Sequence, residues 1–204
     1  MPVMHAAHFA DDLFSQGPRT LIDDAEGGCW YHPAFIDAAR AADWFDQLRD
    51  AIEWRQQRRP MYDRIVDVPR LTGGYALDGT ADLPPALAQA HAAIREHTSV
   101  PFTHVGCNYY RDGNDSVAPH NDKLATLIAG HPIVLLSLGA PRRMEIRAKQ
   151  PPRNVVRIDL EAGSLLSMSH AMQSTYDHGI PKSKHAVGPR ISLAFRVRPP
   201  KDNT

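Results

Sequence analysis

Asn108-Tyr-Tyr-Arg-Asp-Gly-Asn-Asp-Ser-Val-Ala-Pro-His-Asn-Asp122 is the stretch around which the chain is organised. It joins an extended run, an Asp-Gly turn and a His-x-Asp pair, His120 and Asp122. On an extended chain residues i and i+2 point to the same side, so one imidazole and one carboxylate can converge on a metal ion. A second His from elsewhere would complete a two-His, one-carboxylate set with open positions. Asp177-His178-Gly-Ile-Pro supplies a candidate, His178. Pro189-Arg-Ile-Ser-Leu-Ala-Phe-Arg196 then reads as a strand with an Arg near each end. Alternation puts Arg190, Ser192, Ala194 and Arg196 on one face and Ile191, Leu193 and Phe195 on the other. Two guanidiniums facing a barrel interior are costly unless an anion meets them, and a dicarboxylate suits their planar fork. An Arg pair reaching water at a sheet edge is the competing reading.

The bulk properties fit one ordinary globular domain. The chain has 204 residues, 43% hydrophobic, with 23 Lys plus Arg balancing 23 Asp plus Glu. Zero net charge argues against wholesale electrostatic binding of nucleic acid and leaves room for a local basic patch. Only Cys29 and Cys107 are present, which excludes a disulfide framework or a Cys-rich zinc site and suggests a reducing compartment. No secretory leader or membrane-length apolar run is visible, so a cytoplasmic location and a monomer are the expectations. Eleven His allow a metal site, and seventeen Pro favour short elements.

Read in order, residues 1–18 form a leader with Phe9, Leu13 and Phe14, either a short helix or an arm. Thr20-Leu-Ile and Cys29-Trp-Tyr-His are strand-like. Asp37 caps a helix expected from about Ala38 to Trp54, with Ala41, Trp44, Phe45, Leu48, Ala51 and Ile52 at helical spacing. Arg55-Gln-Gln-Arg-Arg-Pro reads as a solvated helix end or a phosphate-contacting patch. Arg64 to Val68 is a short strand, and the Gly-rich run from Pro69 to Thr80 is expected to be a flexible lid. A second helix is expected from Pro84 to Glu96. Six short strands follow between Thr103 and Val197, with Gly and Pro turns between them. They imply an antiparallel sandwich or barrel. The chain is read as one domain, 1–204, in which residues 1–100 give helical support and a lid and residues 101–198 give the β-core.

The ordered series Asn108-x-Tyr110, His120-x-Asp122, His178 and Arg190-x5-Arg196 resembles the AlkB-like family of Fe(II)- and 2-oxoglutarate-dependent dioxygenases. Leu136-Ser-Leu-Gly-Ala-Pro-Arg-Arg and Leu160-Glu-Ala-Gly-Ser-Leu-Leu-Ser-Met are similar to strands of that family, and the resemblance is looser from Trp54 through Val68-Pro69-Arg70. It implies a mostly β fold, a double-stranded β-helix (jelly roll) backed by N-terminal helices. It implies Fe(II) on His120, Asp122 and His178, with dioxygen and 2-oxoglutarate taking the open positions. Arg190 and Tyr110 would hold the distal carboxylate of the cosubstrate. Asn108 and Arg196 would orient its other end, and Ser192 would add a hydrogen bond.

The activity implied is oxidative dealkylation of N-alkylated bases in DNA, releasing formaldehyde, succinate and CO2. A base must leave the duplex stack to reach such a site. Arg70 and Tyr75, in the expected lid, are the candidate substrate residues, with Tyr75 stacking on the base or simply packing its loop. Arg142, Arg143, Arg147, Lys149 and Arg153, with Lys182 and Lys184, read as a phosphate track or a solvated face. One departure stands out. Where DNA-repairing members carry acidic residues after the metal pair, this chain has Lys123-Leu124-Ala125. The substrate then stays open between alkylated DNA, RNA, a small molecule and a protein. A non-catalytic jelly-roll binding module is the reading from another class.

Overall fold

The computed structural model describes residues 17–61 and 64–200. The leader with Phe9, Leu13 and Phe14 lies outside them, apart from Gly17 and Pro18. Two antiparallel sheets face each other. The larger runs β1 (Arg19–Ile22), β2 (Cys29–His32), β10 (Leu165–Met168), β7 (Ile133–Gly139), β12 (Arg190–Arg196), β5 (His104–Tyr110), β4 (Arg64–Ala76) and β3 (Arg55–Met61), in that spatial order. The smaller runs β6 (Val117–His120), β11 (Tyr176–Ile180), β8 (Arg142–Ala148) and β9 (Val155–Leu160). This is the double-stranded β-helix the sequence implied. The first hundred residues give more than helical support, because β1 to β4 also belong to the larger sheet.

Two helices cover the outer face of that sheet. α1 (Ala38–Ala51) begins where the Asp37 carboxylate accepts a 2.9 Å bond from the Arg40 N–H, and buries Ala41, Trp44, Phe45 and Leu48. α2 (Pro85–Thr98) starts on proline and buries Ala86, Leu87, Ala90 and Ile94. Their apolar stripes meet Val134, Leu136, Ile191, Leu193 and Phe195, one face of the alternating strands. His91 stacks on Phe195 at 6.0 Å, a packing role. A second core, with Tyr110, Ile133, Leu135, Met144, Ile146 and Leu166, lies between the sheets. Both cysteines are buried and free, and burial pushes each thiol up to about 12. Among the described residues no helix is long and apolar enough to cross a membrane.

The structure corrects the sequence reading between residues 52 and 80. The charged run Arg55–Arg59 does not end a helix. Ile52 is already extended, the Trp54 indole N–H donates to the Arg49 carbonyl at 2.9 Å, and the chain enters β3. Most of the Gly-rich run is not a flexible loop either. Its residues 69–76 belong to the 13-residue β4, paired with β3 on one side and β5 on the other, and only 77–80 leave the strand. Gly73 permits this, since a Cβ there would lie 2.7 Å from Ile52 Cγ2. The strand thus passes beneath the end of α1 where a side chain would block it. A short 3-10 turn, Leu124–Thr126, follows the His-x-Asp pair.

Candidate active site

β6 and β11 are short, but their register sets His120 directly opposite His178. Directly paired residues share a face, and the two imidazole centroids are 4.6 Å apart. Gly179 makes the pairing possible at the bulge that follows, because a Cβ there would sit 2.8 Å from the Val117 carbonyl oxygen. His120 Nδ1 lies 3.0 Å from the Ala118 carbonyl. In the tautomer that donates this bond, Nε2 keeps its lone pair for a metal. His178 is 6% exposed, and burial, aided by His120, lowers its pKa to about 4, so it is a neutral imidazole near pH 7.

Asp122 lines the same cavity, of about 290 Å³, as both imidazoles. Its carboxylate is held by Arg196, whose Nη2 is 3.0 Å from Oδ1 and from Oδ2. Among the described residues no three His, Cys, Asp or Glu side chains close around one point. The structure brings the two His together and turns the carboxylate onto the neighbouring guanidinium. Arg196, which also lines this cavity, has its charge engaged by Asp122, 74 residues away in sequence.

β12 lies between β7 and β5, so its inward face looks into the cavity. Arg190 is wholly buried there. Its Nη2 donates to Ser137 Oγ at 2.9 Å, while Nε and Nη1 make no hydrogen bond of good geometry among the described residues. The Tyr110 ring lies 5.3 Å from its Cζ, and Arg142 approaches the same ring at 5.5 Å. Burial first, with Arg142 adding to it, lowers the Arg190 pKa from its ordinary value. Buried guanidinium N–H groups without good hydrogen bonds have the chemistry to meet an anion. Ser192 and Tyr110 line the cavity beside it, both almost fully buried. Asn108 lines it too, but its Oδ1 accepts a 2.8 Å bond from Arg70 Nε.

Arg70 and Tyr75, both expected at the substrate, part company. They are five residues apart on one strand, and an odd offset places them on opposite faces. Arg70 reaches Asn108 and borders both the small cavity and an adjoining one of about 580 Å³ that also shares His120. Tyr75 packs on the outer core under the helices and does not line the cavity holding His120. Assuming a loop hid this alternation. The basic run is mostly engaged internally. Arg142 is buried and donates to the carbonyls of Asp112, Asp115 and Pro181. Arg143 pairs with Asp159, Arg147 with Glu145, and Lys149 Nζ reaches Asn121 Oδ1 and the Gln173 carbonyl. Arg142 and Gln173 are structural contributors that no motif marked.

A model described as the 2OG-Fe(II) oxygenase superfamily matches residues 28–196. The chain belongs to the AlkB-like branch of that superfamily. It is 35% identical over 188 residues to mouse alpha-ketoglutarate-dependent dioxygenase alkB homolog 3, covering 83% of this chain and 65% of that protein. It is 31% identical to the human DNA oxidative demethylase ALKBH2, covering 89% of this chain and 78% of the relative. It thus spans just under two thirds of the length of the homolog 3 proteins it matches. A solved structure titled as OsALKBH1 shares the fold at TM-score 0.56 and 16% identity, over 83% of this chain and 97% of that one. A prolyl hydroxylase from Trichoplax adhaerens shares it at TM-score 0.58 and 12% identity, over 83% of both chains.

Proposed function

We propose that this protein is an Fe(II)- and 2-oxoglutarate-dependent oxidative demethylase of N-alkylated nucleic-acid bases. The observation that carries the reading is Arg190, a buried guanidinium with two nitrogens that lack a hydrogen bond of good geometry among the described residues, in the cavity that holds the paired His120 and His178. The donor set fits the cofactors. Two imidazoles with a carboxylate alongside are the ligands a non-haem iron oxygenase uses. A buried N–H fork is what one end of a dicarboxylate needs.

His120, Asp122 and His178 would hold the iron. Arg190 would grip the distal carboxylate of 2-oxoglutarate, with Tyr110 and Ser192 closing around it. When bound, iron and 2-oxoglutarate with dioxygen hydroxylate a C–H bond, and the cosubstrate leaves as succinate and CO2. On an N-methyl group the product is a hemiaminal, which collapses to formaldehyde and the unmodified base. No leaving-group acid is needed, and the cavity contains no acid pair for such work. The chain's own residues bind, orient and exclude water. The 580 Å³ cavity beside His120 and Arg70 is of a size to take an unstacked base. The names of the relatives support nucleic acid as the substrate class. Lys123-Leu124-Ala125 supports a second reading, the same oxidation on another substrate, because this turn brings no carboxylate to read a base. A cytoplasmic monomer is part of the proposal and rests on sparse cysteine and ordinary composition.

The test is anaerobic titration with Fe(II) and 2-oxoglutarate, then succinate and formaldehyde assays on methylated single- and double-stranded DNA. Succinate that depends on methylated DNA supports the primary reading. Succinate formed regardless of nucleic acid moves the substrate to the second. Full turnover by His178→Ala would sink the metal assignment.

A further inference from the structure

Gln173 is 1% exposed, and a buried amide persists only where its polar atoms are used. Its Oε1 accepts a 3.0 Å bond from the backbone N–H of Asp122, 51 residues earlier. Its Nε2 reaches the Ser169 carbonyl at only 3.5 Å, so the bond to Asp122 is the one of good length. Its own carbonyl accepts from Lys149 Nζ at 2.8 Å, and the same ammonium reaches Asn121 Oδ1 at 3.1 Å. Both residues that follow His120 are therefore tied to one point.

The location gives this a purpose. β6 ends at His120, so Asp122 has no ladder partner to fix its peptide. Gln173 sits in the short helix α3 (Met172–Thr175), which runs directly into β11 and His178. One side chain thus joins the loop carrying Asp122 to the element carrying His178. Arg196 fixes the Asp122 carboxylate and Gln173 fixes its peptide. Neither tie leaves a signature in the local sequence.

We propose that Gln173, supported by Lys149, is a positioning residue for the metal site: it sets the spacing between Asp122 and the His120–His178 pair. The inference rests on the reading of those three residues as metal ligands. Supporting partners of this kind change metal affinity by about 10- to 100-fold when removed.

The experiment is absorption titration of the metal-free protein with Co(II), alongside the melting temperature of the metal-free form and 2-oxoglutarate affinity. Gln173→Met keeps the volume and removes the acceptor, and Gln173→Glu keeps an acceptor oxygen. The expected result is Co(II) affinity down about 10- to 100-fold in Q173M and largely recovered in Q173E, with 2-oxoglutarate affinity of the metal-free protein unchanged. Wild-type Co(II) affinity in Q173M would overturn the proposal. So would a loss that Q173E does not recover and that follows the melting temperature. If Q173M does not fold, Lys149→Met releases Asn121 and the Gln173 carbonyl and breaks the ion pair with Asp177, with an expected loss of Co(II) affinity, and unchanged affinity there overturns it. Failure of the wild-type protein to bind Co(II) would strike the metal reading instead, and is told apart by that control.

Discussion

Replacing Arg190 with Met should move binding and stability in opposite directions. The guanidinium has no solvent access, one bond of good geometry to Ser137, and two nitrogens without such a partner. A hydrogen bond from a charged donor contributes about 1.5–3 kcal/mol, so two such bonds to a carboxylate amount to roughly 3–6 kcal/mol. At about 1.4 kcal/mol per factor of ten, their loss should weaken 2-oxoglutarate binding by roughly 10²- to 10⁴-fold. In the empty protein the same charge is a burden. Replacing a buried ion with an apolar side chain of similar volume is often neutral or stabilising, by about 1–4 kcal/mol. The lost Ser137 bond and Tyr110 contact offset part of this gain. For a chain of this size each kcal/mol is worth roughly 2–4 °C. The metal-free R190M protein should therefore melt at or above the wild-type temperature, by up to about 10 °C. Calorimetric titration with 2-oxoglutarate and thermal unfolding of the metal-free protein supply both numbers. Unchanged cosubstrate affinity would refute the anion-site argument. A lower melting temperature would show that Arg190 is satisfied in a way the geometry does not reveal.

Two further outcomes test the frame around the site. Gly179→Ala forces a Cβ to 2.8 Å from the Val117 carbonyl and 3.0 Å from Pro119 N, both backbone, so the β6–β11 pairing must open. Stability should fall by about 1–3 kcal/mol, with Co(II) affinity falling too; a protein that loses stability but binds Co(II) normally would separate the bulge from the His pair. Asp115 is depressed in pKa; burial opposes the shift, and the bidentate Arg111 pair with the Arg111 N–H overcomes it. A depressed carboxylate contributes stability that is complete above its unfolded value and lost as pH falls through the folded one, so this contribution should disappear below about pH 4. Asp115→Asn should be less stable at neutral pH and show a shallower loss in acid, and an acid limb as steep as wild type would refute the assignment.

The parts of the site legible in the sequence were those set by short-range geometry. The alternation of Arg190, Ser192 and Arg196 follows from the two-residue period of an extended chain, whereas Asp122 lies past the end of β6 and its carboxylate turns to Arg196. The apolar face of β12 met the helices as that period requires. What escaped depended on partners far away in sequence. Nothing local pairs Arg196 with Asp122, or places Gln173 on the Asp122 peptide. Arg142 looked like one cation in a surface run, yet three carbonyls from two separate segments draw it inside. Glycines at 73 and 74 read as flexibility, whereas close approach to α1 and β5 is what they serve. That single misreading made Tyr75 and Arg70 joint candidates for the substrate.

A net charge of zero is compatible with a strong local field, and the distribution of ion pairs shows how. On the outer surfaces arginines are matched: Arg58 with Asp67, Arg143 with Asp159, and Arg147 and Arg157 with Glu145. Such exposed pairs contribute little to stability, typically about 0–1 kcal/mol, but they cancel charge where it would otherwise spread over the surface. Inside the site the balance differs. Four arginines, Arg70, Arg190, Arg196 and Arg198, line the small cavity against one carboxylate, Asp122. The neutral His178 adds no further positive charge to them. In a partly enclosed, low-dielectric space this excess is felt far more strongly than the same charges in water. A local excess of positive charge in a chain of zero net charge is thus placed where a dianionic cosubstrate is proposed to bind.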